Sequence, residues 1–190
     1  MAQQTLLQAS LGTSSLVKKA LIVLGGSALI AVGAQVSVPM LPVPMTLQTL
    51  AILMVGFTAG SRLGAAAVVA YLLEGAAGLP VFAGGGAGAA YLMGPTGGFL
   101  LGFVAMAWAA GLLAERGVAR GLVGTALAAL AVSAALYIPG LAWLTAVTPL
   151  DLTGAFNVGA LPFLPGDVVK AVAAALIVSG AWSALGNRRG

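Results

Sequence analysis

The placement of charge constrains this chain more than any other feature. Its 190 residues include eight Lys and Arg and four Asp and Glu, and nearly all of them fall in the gaps between long apolar runs. Lys18 and Lys19 precede the first run, Arg62 separates the second from the third, Arg116 and Arg120 separate the fourth from the fifth, and Arg188 and Arg189 follow the last. About 20 apolar residues cross the hydrocarbon of a bilayer as a helix. If six runs cross, those seven basic residues all lie on one side, and the positive-inside rule makes that side cytoplasmic. Only 6% of the residues are charged, against about a quarter in a soluble domain. The reading is an all-α integral membrane protein of six transmembrane helices, with both termini inside. It is a multi-pass chain of the cell (inner or cytoplasmic) membrane. The basic residues punctuate the chain instead of forming a patch, so nucleic acid is not an expected partner; the lipid bilayer is.

The expected spans are roughly 18–38, 46–60, 63–78, 96–114, 121–144 and 165–186, all within a single membrane domain covering 1–190. The inner turns are short and the outer connections long. Pro39, Pro42 and Pro44 forbid a regular helix between the first two spans and favour extended backbone. Gly78–Gly98 holds eight glycines and two prolines in an otherwise apolar stretch. Its backbone is too pliable for a firm helix and too apolar for a solvated linker, which suits the wall of a cavity. Residues 145–165, with Asp151, Asn157 and three prolines, are expected to form the third outer loop. Long Pro/Gly-rich outer loops would thus cap an outward-facing pocket.

There is no Cys and no His, which removes disulfides, thiolate nucleophiles and the usual zinc or haem ligands. No catalytic residue, metal or cofactor is expected, and no P-loop is present. Charge inside a membrane marks a functional candidate. The sharpest case is Phe163-Leu-Pro-Gly-Asp-Val-Val-Lys170. Pro165 suits a first helical turn, Asp167 then sits at the positive end of the helix dipole, and Lys170, three residues on, shares its face. The pair offers one fixed acceptor and one fixed donor to a small polar solute. The plainer alternative is an Asp capping its helix and a Lys snorkelling to the interface. Thr46, Gln48 and Thr49 bring polar groups to the mouth of the second span. Phe82 and Tyr91 offer apolar cover from the glycine-rich stretch. Glu74 is expected at the outer interface and Arg62 as an inner anchor. On the first span, Ser27 and Ala31, with Gly26, Gly33 and Ala34 nearby, form a small-residue face that lets another helix approach, internal or from another subunit.

Four ordered stretches carry a resemblance: Pro42-Val-Pro-Met-Thr-Leu-Gln-Thr-Leu50, Gly78-Leu-Pro-Val-Phe-Ala-Gly-Gly85, Gly94-Pro-Thr-Gly-Gly98 and Pro162-Phe-Leu-Pro-Gly-Asp-Val-Val-Lys170. Together they strongly resemble the BioY family, the biotin-specific substrate-binding subunits (S components) of energy-coupling factor transporters. The resemblance implies high-affinity capture of biotin by a six-helix membrane protein that is not an enzyme. It also implies partners: a transmembrane coupling subunit and two cytoplasmic ATPases, although some family members act without the ATPase module. By this resemblance Asp167 accepts from the ureido N–H groups of biotin. Lys170 donates to the ureido carbonyl or meets a carboxylate. Gly84 and Gly85 let backbone approach the bicyclic ring, Phe82 and Tyr91 cover it, and Ser27 and Ala31 face the coupling subunit. Where some relatives offer an Asn after Val-Phe-Ala, this chain has glycines. The competing readings are an S component for another vitamin, such as thiamine or riboflavin, and an intramembrane enzyme using Asp167 and Lys170. The second lacks a further carboxylate, His or Cys at matching depth.

Overall fold

The computed structural model describes residues 4–11 and 15–187; Arg188 and Arg189 lie outside the described residues. After a short helix α1 (Leu6–Leu11), the chain builds α2 (Leu16–Gln35), a two-stranded hairpin β1 (Ser37–Val38) and β2 (Met45–Thr46), α3 (Gln48–Ala59) and α4 (Ser61–Ala76). It continues through α5 (Ala89–Leu92), α6 (Gly97–Glu115), α7 (Leu122–Val147), α8 (Leu152–Gly159) and α9 (Leu164–Asn187). Each of the six apolar runs is a helix, with ends that differ from expectation for local reasons. The first stops at Gln35 because Ser37 and Val38 pair antiparallel with Thr46 and Met45. The fifth continues through Pro139 to Val147.

Length and hydropathy qualify four stretches to cross a membrane: α2, α6, α7 and Leu152–Leu185, which takes in most of α9. With 12 and 16 residues, α3 and α4 fall short of the usual crossing length. Both are nevertheless central. α3 buries Ile52, Leu53 and Phe57 against Val68 and Tyr71 of α4 and Phe103, Met106 and Ala107 of α6, all in one core. Around it runs an exposed apolar belt that includes Leu21, Leu24 and Val32 of α2, Leu127 and Ile138 of α7, and Val169 and Leu176 of α9. Side chains of that kind on the outside suit a surface in contact with lipid. The chain is a multi-pass membrane protein.

The turn between α3 and α4 hinges on Gly60, whose φ of 90° a side chain would strain. Glu115, the last residue of α6, closes this end: its Oε1 accepts from the Ser61 backbone N–H at 2.8 Å and from the Ser61 hydroxyl at 2.9 Å. A carboxylate there also complements the N-terminal dipole of α4. Arg62, Arg116 and Arg120 gather at this end, where the Arg120 guanidinium lies 5.1 Å over the Trp182 ring.

The third outer connection is not the expected loop, because residues 152–159 form α8. Asp151 is its N-cap, with the side chain accepting from the Gly154 N–H at 2.8 Å, a helix start that Asp favours. The glycine-rich stretch is likewise partly helical, with a 3-10 turn at Ala83–Gly85 followed by α5. It is tied down at two points: Gln35 Nε2 donates to the Phe82 carbonyl at 3.0 Å, and Trp143 Nε1 to the Gly94 carbonyl at 2.9 Å.

Candidate functional site

Between the hairpin, the glycine-rich stretch, the ends of α3, α6 and α9 and the middle of α7 lies a cavity of about 580 Å³, its open mouth included. Phe99, Leu100 and Phe103 of α6, Leu136 of α7 and Phe163 give it apolar walls. Its polar groups fall into two clusters.

The first cluster stands on the α9 turn that follows Pro165. Asp167 and Lys170 are both almost fully enclosed, with side chains 12% and 9% exposed, and Lys170 Nζ lies 3.6 Å from Asp167 Oδ1. That is an ion pair, but too long for a tight hydrogen bond, so the ammonium keeps N–H donors for an occupant. Tyr137, from the middle of α7, donates its phenolic hydrogen to Asp167 Oδ2. The carboxylate is therefore oriented by a phenol on one oxygen and an ammonium on the other.

The second cluster stands on the first turn of α3. Gln48 is buried; its Nε2 donates to the Tyr71 hydroxyl at 2.8 Å, and its Oε1 accepts from Thr46 Oγ1 at 3.0 Å. A primary amide has two N–H donors, so a second remains beyond the bond to Tyr71. Thr49 also lines the cavity, and its hydroxyl is buried with no hydrogen-bond partner among the described residues. An unpaired buried hydroxyl costs stability unless something occupies it, so Thr49 reads as a waiting contact.

Of the residues expected at the site, Asp167, Lys170, Tyr91, Thr46 and Gln48 line the cavity. Three do not. Phe82 is fully buried behind Tyr91, stacked on it at 4.9 Å and edge-on to Tyr71 at 5.5 Å. The missing side chain of Gly75 makes room for the ring, since a Cβ there would sit 2.1 Å from Phe82 Cζ. Phe82 supports Tyr91 from behind and covers nothing in the cavity. Gly84 and Gly85 have φ of 66° and 76° and are exposed; neither lines the cavity, whereas the neighbouring Ala83 does. Burial pushes the Tyr91 phenol above its ordinary value, so it stays neutral, and its hydroxyl reaches the Ala83 carbonyl at 3.5 Å. Thr49, named above with Thr46 and Gln48 for its polar group, joins the site, as do Tyr137, Phe99 and Thr96, which had not been singled out. For Tyr137 the available signal was Ser133-x-x-x-Tyr137, a polar pair one turn apart in an otherwise apolar span.

The small-residue face of α2 is occupied from within. Gly26 abuts Ala67 of α4 and Val55 of α3, and Gly33 abuts Leu47 and Ala51. Ser27 is buried and its hydroxyl lies 2.7 Å from both Glu74 carboxylate oxygens. It faces α4 and is not available as a partner contact, while Glu74 turns inward to this hydroxyl and away from the interface. Ala31 is half-buried against the core.

Several known proteins are similar to this chain. A protein described as biotin transporter BioY from Rhizobium etli is 44% identical over 149 residues, 75% of this chain and 79% of that protein. Another so described, from Thermotoga maritima, is 41% identical over 157 residues, 80% and 88% of the two chains. A crystal structure described as the S-component for biotin from an ECF-type ABC transporter matches with a TM-score of 0.78 at 28% identity, covering 86% of this chain and 89% of that one. The BioY family model matches residues 3–187, and the chain belongs to the BioY family.

Proposed function

We propose that this chain captures biotin for uptake, as the S component of an energy-coupling factor transporter, with the described cavity as its site. The observation that carries the reading is the Asp167–Lys170 pair at an otherwise apolar cavity wall. The ureido group of biotin presents two N–H donors and one carbonyl acceptor. It needs an acceptor and a donor side by side, and Asp167 and Lys170 supply them 3.6 Å apart. The same chemistry favours one of the two roles open to Lys170. A carboxylate brought to its ammonium would lie close to the Asp167 carboxylate, and like charges enclosed together repel strongly. The ureido ring belongs at this pair, with the valeryl tail directed toward the mouth. Thr49 and Gln48 then meet the ring from the opposite side, and Phe99, Phe163 and Tyr91 cover its apolar faces.

The remaining elements of the reading fit one arrangement. The chain forms one membrane domain over 1–190, with six spans and both termini inside, in the cell membrane. The gathering of Arg62, Arg116 and Arg120 at the end opposite the cavity supports that orientation. A transmembrane coupling subunit and two cytoplasmic ATPases are its partners.

The test is thermal unfolding of the purified chain with biotin, thiamine or riboflavin. At about a thousand times its dissociation constant, a ligand that binds only the folded state adds roughly 4 kcal/mol. A shift with biotin alone is expected. A shift with either control and none with biotin would replace the substrate.

A further inference from the structure

A second groove, about 760 Å³ with its open side included, runs outward between the hairpin and the glycine-rich stretch. Pro44, Ala83, Tyr91 and Thr96 line both spaces, so the two adjoin across these four residues. Their chemistry differs sharply. The cavity holds Asp167 and Lys170, whereas the outer groove is built from Ser37, Met40, Leu41, Gly84, Gly94 and several prolines, with no Lys, Arg, Asp or Glu in its lining among the described residues. If the ureido ring sits at Asp167 and Lys170, the carboxyl end of the tail emerges into a space where no cation selects for its charge. The polar groups available there are hydroxyls and backbone amides, which donate to an amide carbonyl as readily as to a carboxylate oxygen.

We infer that the site takes biotin whose carboxyl group is joined in an amide, and that the outer groove holds the substituent beyond that bond. The inference rests on the proposed placement of the ureido ring. The substrate class is therefore biotin and its N-substituted amides, with recognition carried by the ring and little discrimination at the acyl end.

The experiment is displacement of radiolabelled biotin from the purified full chain by biotin, biotinamide and ε-N-biotinyl-lysine. Both amides are expected to compete within tenfold of biotin. Binding of biotin with either amide more than tenfold weaker would overturn the inference and leave the proposed function standing. If biotin itself fails to bind, the reading of the site falls and the inference with it. Met40→Lys provides the second arm, because Met40 lines the outer groove and not the cavity. A cation placed there should favour free biotin over biotinamide by two- to fivefold, the range of a partly exposed ion pair. An unchanged preference, with both ligands still bound, would show that the acyl end does not reach the groove.

Discussion

Replacing Lys170 by Met tests the site most directly, because it removes the ammonium while keeping much of the side chain's apolar length. Lys170 is nearly enclosed and stands 3.6 Å from Asp167. The substitution leaves that carboxylate one oriented donor, the Tyr137 hydroxyl, so the cluster is weakened without being stripped. The bound ligand loses a charge-assisted hydrogen bond worth about 1.5–3 kcal/mol, and its carbonyl, in a water-poor cavity, is left unmet at a further cost of about 1–3 kcal/mol. Taking about 3–4 kcal/mol for the two together, biotin should bind two to three orders of magnitude more weakly. Titration calorimetry on the purified protein measures this directly, with gel filtration and helical circular dichroism confirming that the variant is folded. A folded Lys170→Met protein that binds biotin within threefold of the unsubstituted chain would refute the assignment of the ureido carbonyl to Lys170.

Three further outcomes follow from particular contacts. Thr49→Val removes a buried hydroxyl that has no internal partner; affinity for biotin should fall by about 1–2 kcal/mol while the unliganded melting temperature holds or rises, and a matching loss of stability would mean the hydroxyl serves the fold. Ser27→Ala takes from Glu74 the hydroxyl it faces across α2 and α4, so the unliganded protein should lose about 1–3 kcal/mol in thermal unfolding, with biotin affinity nearly unchanged. At Gly111 a Cβ would lie 2.2 Å from the Ser61 backbone nitrogen; Gly111→Ala should cost about 1–3 kcal/mol by overpacking, read as a lower melting temperature, and a neutral result would contradict the close approach of α6 to the α3–α4 turn.

The long helices were legible because length and apolarity alone specify them, and α2, α6, α7 and α9 fall near their expected places. α8 was not. Asp151, Gly154, Asn157 and Gly159 are residues of turns, and their density hid a two-turn helix whose capping Asp was visible all along. In the site, Asp167 and Lys170 were legible because charge in an apolar span has few innocent explanations. Phe82 was expected in the cavity and Tyr137 was not named, and one reason accounts for both. Whether an aromatic side chain lines a cavity or backs its wall depends on what packs behind it, here Gly75 of α4 for Phe82 and Asp167 of α9 for Tyr137. Those neighbours are close in the fold and distant along the chain. The same applies to Ser27, whose small-residue surroundings announced a close neighbour without saying that it would be α4.

The shortness of α3 has a geometric consequence. Twelve residues rise about 18 Å, some 12 Å less than the hydrocarbon thickness of a typical bilayer. The first turn of α3, bearing Gln48 and Thr49, opens on the cavity. The hairpin before it runs as extended backbone over the space where further helical turns would have stood. The protein thus makes room for its ligand by omission. Two or three turns of helix are left out of the middle of the bundle, and an extension of α3 toward Met45 would fill the site with the chain's own backbone before anything else could enter.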